Sequence, residues 1–201
     1  MNRGCMTGVV VIAGLLFLAI ILGSFIMQRY NAMYQSREQV NEAWAQVQNV
    51  YQRRMDLIPN LVETVKGVAE FEKETYTAVS EARSKAGQVT LGPEVLEDPA
   101  AFQRFQATQG ELSTALSRLL VTVERYPELK ANQSFLELQS QLEGTENRIA
   151  VERNRFNETA RVYNTLIGQI PNNIVAGISG FKPRPYFEAA PGAEQAPKVE
   201  F

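Results

Sequence analysis

One stretch of the chain, residues 8–27, is apolar throughout and carries no formal charge. Twenty helical residues at 1.5 Å each span about 30 Å, which matches the hydrocarbon core of a bilayer. A secretory signal has a shorter apolar region followed by a cleavage site of small residues, and no such site follows Met27. Cys5 precedes the run, so it is not the lipid-modified cysteine that follows a lipoprotein signal. The pattern therefore predicts an uncleaved transmembrane helix over residues 8–28, preceded by a short segment of residues 1–7.

Apolar residues recur at steps of three and four through most of the remaining chain, which is typical of amphipathic helices. The first helix is expected to continue directly from the span, because residues 28–39 contain neither glycine nor proline. Pro59 lacks an N–H and disfavours helical geometry at the residue before it, so we expect a kink or short break there. The helix is then expected to run to about Lys85. The glycines and the proline between residues 87 and 93 mark the first true connection.

A second helix is predicted over about residues 98–125, with Asp98 as a candidate N-cap and Pro99 in the first turn. A third, over about 128–169, carries apolar residues at seven-residue spacing, with which helices pack along a shared seam. These residues are Phe135, Leu142, Ile149, Phe156, Tyr163 and Ile170. The predicted fold class is all-α, in which the transmembrane helix continues into an antiparallel bundle over residues 29–170. The bundle has three long helices, or four if the break near Pro59 is counted.

Prolines and glycines recur from Pro171 onward, so residues 171–201 are predicted to form an irregular tail. Residues 172–187 are nevertheless apolar enough that we expect them to dock on the bundle or on a neighbouring copy. The last dozen residues are expected to be mobile.

The composition of the chain narrows the classes of function. The chain contains no histidine and one cysteine, which removes the commonest general base, the commonest transition-metal ligand and most thiolate chemistry. No catalytic residue, no cofactor and no metal site is therefore predicted. The 20 Lys and Arg residues are balanced by 22 Asp and Glu residues, so no nucleic-acid partner is expected.

Two polar stretches inside the predicted helices are candidates for a structural or interaction motif. One surrounds Pro59, and the other lies in the middle of the third helix, where the companions of the heptad residues are polar. The candidate residues are Arg53, Arg54, Asp56, Pro59, Asn60, Glu146, Asn147, Arg153 and Asn157. They fit three interpretations: solvated faces with ion pairs, a buried polar layer that fixes helix register, or a ligand or catalytic site. Carboxylates beside arginines are usually held ionised, which suits an ion pair better than a general acid.

Several long motifs point to a known family. They are QRRMDLIPNLVETVKG from Gln52, EARSKAG from Glu81, the stretch YPELKANQSFLELQSQLEGTENRIAVERNRFNETARVYNT from Tyr126, and FKPRPYFE near the C-terminal end. Together with the apolar run they resemble the LemA family over nearly the whole chain. The resemblance implies a bacterial membrane protein with a short N-terminal segment, one span and a helical-bundle domain, and it does not imply an enzymatic activity. The nine candidate residues match motif positions of that family.

The function expected from these observations is that of a non-enzymatic, membrane-anchored scaffold that self-associates in the bacterial envelope. Its expected partners are the lipid bilayer, further copies of the chain and other membrane proteins. The alternative is a receptor-like module that binds a small anionic ligand or a partner protein through Arg53, Arg54 or Arg153. A carboxylate-based hydrolase is a third hypothesis.

The basic residues beside the span give little guidance on its orientation. Arg3 lies on one side, and Arg29 and Arg37 lie on the other, so the count of positive charges is close to even. We expect a single-pass protein of the bacterial inner membrane, with the large domain on the cytoplasmic side.

Overall fold

The computed structural model describes residues 3–68, 72–89 and 92–188, with side chains from Val10 onward. In chain order the helices are α1 (Arg3–Lys66), α2 (Lys73–Gln88), α3 (Pro99–Val123), α4 (Pro127–Lys130), α5 (Gln133–Gly168) and α6 (Asn172–Ser179), with a 3-10 turn at Pro93–Leu96. Within these described ranges there is no β-strand, and the predicted all-α fold is confirmed.

Helix α1 joins the apolar run to the bundle without interruption. It has 64 residues and is about 96 Å long at 1.5 Å per residue. Among the described residues it is the one helix that is long and apolar enough to cross a membrane, and its apolar part is not covered by the rest of the protein. The first fully buried side chain after the run is that of Met33. The anchor and the folded domain therefore share one helix, as the missing linker predicted.

The long helices run up and down in turn. The early part of α1 shares a hydrophobic cluster with the second half of α5, and the late part of α1 shares another cluster with the start of α5. These two helices are therefore antiparallel, and they form the largest helix–helix contact. Helix α3 runs in the direction of α1, while the shorter α2 packs against both α1 and α3.

The chain does not break at Pro59 as predicted, and the first helix does not run to Lys85. Helix α1 passes through Pro59 and ends at Lys66, and the separate α2 begins at Lys73. Pro59 cannot donate to the carbonyl of Met55 four residues earlier. The Nε of Arg83 on α2 donates to that carbonyl instead, at 2.9 Å. Because Arg83 bonds the carbonyl that Pro59 leaves unpaired, α1 tolerates the proline. The bundle therefore consists of the long helices α1, α3 and α5 and the shorter α2.

Two helix starts show capping by side chains. The carboxylate of Asp98 accepts a hydrogen bond from the amide of Ala100 at 2.9 Å, with Pro99 in the first turn, so the predicted start of α3 is confirmed. The predicted third helix is divided, because the short α4 precedes α5. The side chain of Asn132 then caps α5 by accepting from the amide of Phe135 at 3.0 Å.

The tail docks on the bundle, as predicted, but its first part is the short helix α6. Gly180 ends α6 with a φ of 73°, a left-handed conformation that glycine adopts without a steric penalty. Residues 181–188 follow without regular structure, and the side chains of Phe181 and Phe187 are buried. The expectation that the last dozen residues are mobile lies outside the described residues.

The buried apolar side chains form two clusters along the bundle. The one nearer the apolar run, here called the span-side cluster, consists of Met33, Val40, Ala43, Trp44, Val47, Tyr51, Val95, Leu96, Phe102, Phe105, Ile149, Phe156, Ala160, Tyr163, Ile167, Val175, Ala176, Phe181 and Phe187. The distal cluster consists of Ile58, Leu61, Val62, Val65, Val79, Ala82, Ala86, Leu112, Leu116, Leu119, Val123, Leu129, Phe135 and Leu142.

Candidate functional site

A polar layer separates the two hydrophobic clusters. On α1 it is Arg54, which lies between Tyr51 of the span-side cluster and Ile58 of the distal cluster. On α3 the buried Gln109 takes the corresponding place, and on α5 the buried Thr145 lies one turn from Ile149. The three helices therefore change from apolar to polar side chains at one level of the bundle.

Arg54 is the centre of this layer, and its side chain is only 1% exposed. Its Nη1 donates to the carboxylate of Glu146 at 2.9 Å and to the hydroxyl of Ser113 at 2.8 Å. Its Nη2 donates to the side-chain carbonyl of Gln109. The guanidinium also lies over the ring of Tyr51, 5.1 Å from its centroid. A buried charge of this kind is tolerated only with such partners, and only Nε finds none among the described residues.

A cavity of about 400 Å³ opens beside this layer, between α3 and α5. Tyr51 and Arg54 of α1 form part of its lining, together with polar residues of α3 and with Glu146 and Arg153 of α5. Burial raises the pKa of the Tyr51 hydroxyl, and the nearby positive charges of Arg153 and Arg54 oppose that rise. The phenol is therefore neutral at physiological pH and is a poor general base there.

The cavity is the first part of a longer groove along α3 and α5. A second cavity of about 400 Å³ shares Ser113 and Glu146 with the first and is lined further by leucines, serines and Asn147. A third, of about 380 Å³, shares Leu120 with the second and reaches Phe135. We call these three connected cavities the α3–α5 groove. One long side of the bundle is thus left open.

The tail closes the span-side end of the groove through asparagines of α5. The amide of Asn157 donates to the carbonyl of Phe187 at 2.9 Å and accepts from its N–H at 2.8 Å. Asn164, seven residues later, makes the same pair of bonds with the backbone of Arg184, both at 2.8 Å. Such bidentate bonds satisfy the backbone of a segment without regular structure. The two asparagines therefore act as clips for the tail.

Charged side chains hold the same segment at its edges. Arg153 donates to the carbonyl of Glu188 at 2.8 Å, and its guanidinium lies 4.7 Å from the ring centroid of Phe187. The buried Arg184 pairs with Glu97 at 3.3 Å. Tyr163 donates its hydroxyl to the carbonyl of Lys182 at 3.0 Å. Burial raises the pKa of that hydroxyl, which keeps it a donor.

Comparison with protein families agrees with this architecture. The LemA family matches residues 43–201, which is most of the chain and includes the polar layer and the tail. The chain belongs to the LemA family. Together, its apolar helix and the LemA family indicate a membrane-associated protein.

Three curated relatives show where similar chains occur. The magnetosome protein MamQ of Magnetospirillum gryphiswaldense is 27% identical over 210 residues, which cover 96% of this chain and 76% of that protein. The magnetosome protein MamQ 2 of Paramagnetospirillum magneticum is 26% identical with the same coverage. Protein LemA of Metamycoplasma hominis is 23% identical over 173 residues, covering 85% of this chain and 75% of that protein.

The nine candidate residues of the LemA motifs fall into three places. Arg54, Glu146 and Arg153 line the first cavity, and Asn147 lines the second. Asn157 clips the tail. The other four are exposed on α1, and they are Arg53, Asp56, Pro59 and Asn60. The two neighbouring arginines thus have opposite environments, since Arg54 is buried and Arg53 faces solvent.

Only one of the two carboxylates among the candidate residues pairs with Arg54. Glu146 does so, whereas Asp56 accepts from the amide of Gln52 at 2.7 Å. Gln109 and Ser113 were not anticipated as partners. Gln109 could have been found, because it interrupts the apolar face of α3 between Phe105 and Leu112 at helical spacing.

The described residues offer little for metal chemistry. No group of three or more His, Cys, Asp or Glu side chains within them is arranged to hold a metal ion. Among the described residues, the Arg54 layer is instead an arrangement of hydrogen bonds from one guanidinium to Ser113, Glu146 and Gln109.

Proposed function

We propose that this LemA-family protein is a non-enzymatic, membrane-anchored scaffold that self-associates in the bacterial envelope. The observation that carries the proposal is the continuity of α1 from the apolar run into the core of the bundle. A scaffold must hold its domain in a fixed position relative to the membrane. A helix that is both the anchor and a part of the bundle core does this. Association between bundles then also arranges their spans within the membrane.

The part of α1 that follows the span packs against the rest of the bundle. Met33, Val40 and Trp44 become buried within the first turns after the span. The ring of Trp44 contacts four phenylalanine rings of α3, α5 and the tail, with centroids 5.3–6.1 Å away. Because these contacts fix α1 against the rest of the domain, the bundle cannot turn freely about its anchor.

The α3–α5 groove is the surface that suits a second copy of the chain. The groove extends along the distal half of the bundle and is lined there by Leu116, Leu120 and Phe135. Val121, which also lines the groove, is 71% exposed. Rows of apolar side chains at a groove between helices are typical of helix docking sites. In a two-fold dimer each copy would present the same groove to the other.

Extraction with native lipids tests self-association, since the particle size gives the number of copies. Val121→Arg places a charge in the groove and is expected to reduce the assembled fraction at least about tenfold. Val151→Arg is the matched control, because Val151 is also exposed, at 62%, and does not line the described cavities. A monomeric wild-type chain contradicts the proposal, and equal effects of the two variants contradict the groove as the interface.

The inner membrane and a cytoplasmic bundle are part of this proposal. With Cys5→Ser as background, Val151→Cys places one thiol on the exposed surface of the bundle. An impermeant maleimide added to intact spheroplasts should leave this thiol unlabelled and should label it after lysis. Labelling before lysis places the bundle on the outer side and overturns the orientation.

A second candidate function is the binding of a small anion in the first cavity. The observation that favours it is that Arg54 and Arg153 line a cavity open to solvent. Titration of the full-length protein with inorganic phosphate, followed by calorimetry, provides the test. Binding that is lost in Arg153→Gln and retained in Arg155→Gln, an exposed arginine of the same helix, supports this candidate. No measurable heat with phosphate rejects it.

A further inference from the structure

Helix α6 has an apolar face that the bundle does not cover. Ile170 lies in the turn just before α6, and Ile174 and Ile178, spaced four residues apart, lie on one face of the helix. They are 84%, 61% and 85% exposed, respectively. The opposite face is buried, with Val175 and Ala176 in the span-side cluster. Such a concentration of exposed isoleucines around one short helix marks an interaction surface.

The packing of α6 places this face next to the membrane end of α1. Val175 and Ala176 share their cluster with Met33, which lies six residues beyond the apolar run. The ring of Phe181, just after α6, lies 5.4 Å from the ring of Tyr30, three residues beyond the run. At 1.5 Å per residue these contacts lie within about 10 Å of the end of the apolar segment.

Helix α6 also lies across the end of the bundle, so it extends over only a short part of the long axis of the bundle. Near its start, the amide of Asn172 donates to the carbonyl of Leu166 at 2.9 Å. Beyond its end, the carbonyl of Lys182 accepts from the hydroxyl of Tyr163 at 3.0 Å. Both attachments are to the last turns of α5, only three residues apart. The isoleucines therefore lie at one height above the expected membrane surface.

The side chains around α6 have the composition of a membrane–water interface. Tyr30 and Tyr34 are partly exposed on α1, with their rings 6.4 Å apart. Arg37 lies over the rings of Tyr34 and Phe181, at 4.8 and 5.3 Å. Arg29 lies over Phe25 at 4.9 Å. Tyrosines form belts at the lipid headgroups, and arginines extend their charges toward phosphates while their stems cover apolar surface.

We propose that α6 is an interfacial lipid-binding element, and that Ile174 and Ile178, with Ile170 in the preceding turn, lie in the headgroup–acyl boundary of the membrane that α1 spans. The occupant is lipid because α6 packs within about 10 Å of the end of the exposed apolar run of the same chain. An apolar helix face beside tyrosines and arginines is the pattern of helices that lie in the interface. The bundle then has two membrane attachments, the span and α6, which together set its tilt.

Site-specific quenching in the full-length protein tests this. With Cys5→Ser as background, Ile174→Cys and Ile178→Cys each carry one environment-sensitive fluorophore, in vesicles of phosphatidylethanolamine and phosphatidylglycerol. A nitroxide attached to the upper acyl chain should quench both labels at least about threefold more than a label at Val151→Cys. Aqueous iodide should show the opposite order. Val151 is the matched control, because it is also apolar and exposed, lies on α5 nineteen residues before Ile170, and lines none of the described cavities.

Each alternative result overturns the proposal. Labels at positions 174 and 178 that iodide quenches as strongly as the label at 151 show that the face lies in water. Labels protected from both quenchers show that protein covers the face, as a second copy would. The fluorescence of Trp44, the single tryptophan, reports whether each variant keeps the span-side cluster intact. Two label positions guard against a local effect of either substitution.

Discussion

The span-side cluster is built around Trp44 and the rings of Phe102, Phe105, Phe156 and Phe187, whereas Phe135 is the one ring fully buried in the distal cluster among the described residues. The two halves of the bundle also differ in the segment that covers them. The tail covers the span-side half, held by side-chain bonds to its backbone. The short α2 covers the distal half through apolar contacts with α1 and α3.

This contrast indicates different roles for the two halves. Ring pairs with centroids 5–6 Å apart hold geometry more strictly than aliphatic contacts of equal area. The half next to the membrane also gathers segments far apart in the chain, from Met33 to Phe187. The distal half is open along the α3–α5 groove. We infer that the span-side half fixes the domain to its anchor, while the distal half offers a surface to partners.

The largest effect is expected from Trp44→Ala. Removal of this ring leaves a cavity among four phenylalanines, and its cost is about 3–5 kcal/mol of unfolding free energy. Hydrogen exchange should show that residues 181–188 lose protection together with α1. Leu112→Ala, in the distal cluster, is the comparison and should leave the protection of the tail largely unchanged. Equal loss of tail protection in both variants means that the halves unfold as one unit.

The polar layer between the halves should give the next largest effect. Glu146→Ala removes the carboxylate that neutralises the buried Arg54 and is expected to cost about 2 kcal/mol. The cost stays below that of a fully buried pair, because the Glu146 side chain is 43% exposed. Denaturant unfolding followed by Trp44 fluorescence measures it. Glu143→Ala changes a nearby exposed carboxylate bonded to Gln139 and should cost almost nothing. Similar costs for both glutamates contradict a special role for the layer.

Local signals predicted much of the architecture. The Asp98–Pro99 start of α3, the heptad residues of α5 from Phe135 to Tyr163 and the missing linker after the span each follow from neighbouring residues. The sixth predicted heptad residue, Ile170, is an exception, because it lies beyond the end of α5 and is 84% exposed. The partners of Arg54 do not, because Gln109 and Glu146 are 55 and 92 residues away in the chain. Such a site depends on which helices become neighbours, and helical periodicity does not show which helices pack together.

The two clips should show an intermediate effect. Asn157→Ala removes a donor and an acceptor from the backbone of Phe187, and leaves both backbone groups unpaired. We expect a loss of about 1–2 kcal/mol and faster amide exchange at residue 187. Asn147→Ala, an exposed asparagine of the same helix, is the control. Unchanged exchange at residue 187 contradicts the clip, since no other described side chain bonds both its N–H and its carbonyl.

The tail also shows why composition alone misleads. Its prolines and glycines indicated an irregular segment, and residues 181–188 are irregular, yet asparagine side chains bond both backbone groups of Arg184 and of Phe187. The asparagines that hold them lie one heptad apart on α5. This spacing is visible in the sequence, but the polar side chains would have to be recognised as partners of a backbone about 20–30 residues later.

The smallest expected effect concerns the proline in α1, next to the distal cluster. Arg83→Met removes the donor to the carbonyl of Met55 and leaves that partly buried oxygen without its bond. The expected cost is about 1 kcal/mol. Pro59→Ala restores a backbone N–H that can bond the same carbonyl within α1. In the Pro59→Ala background, Arg83→Met should therefore cost much less than in the wild type.

The double-mutant cycle separates two explanations of how α1 passes through Pro59. If Arg83 compensates for the proline, the two substitutions couple, with the cost of losing Arg83 falling by most of its value when Pro59 is replaced. If Arg83 only packs against α1, the costs of the two substitutions add and their interaction energy is near zero. Coupling makes the pairing of α2 with α1 the reason that a 64-residue helix survives an internal proline. The distal half, despite its aliphatic core, would then depend on one polar contact to keep the anchor helix intact.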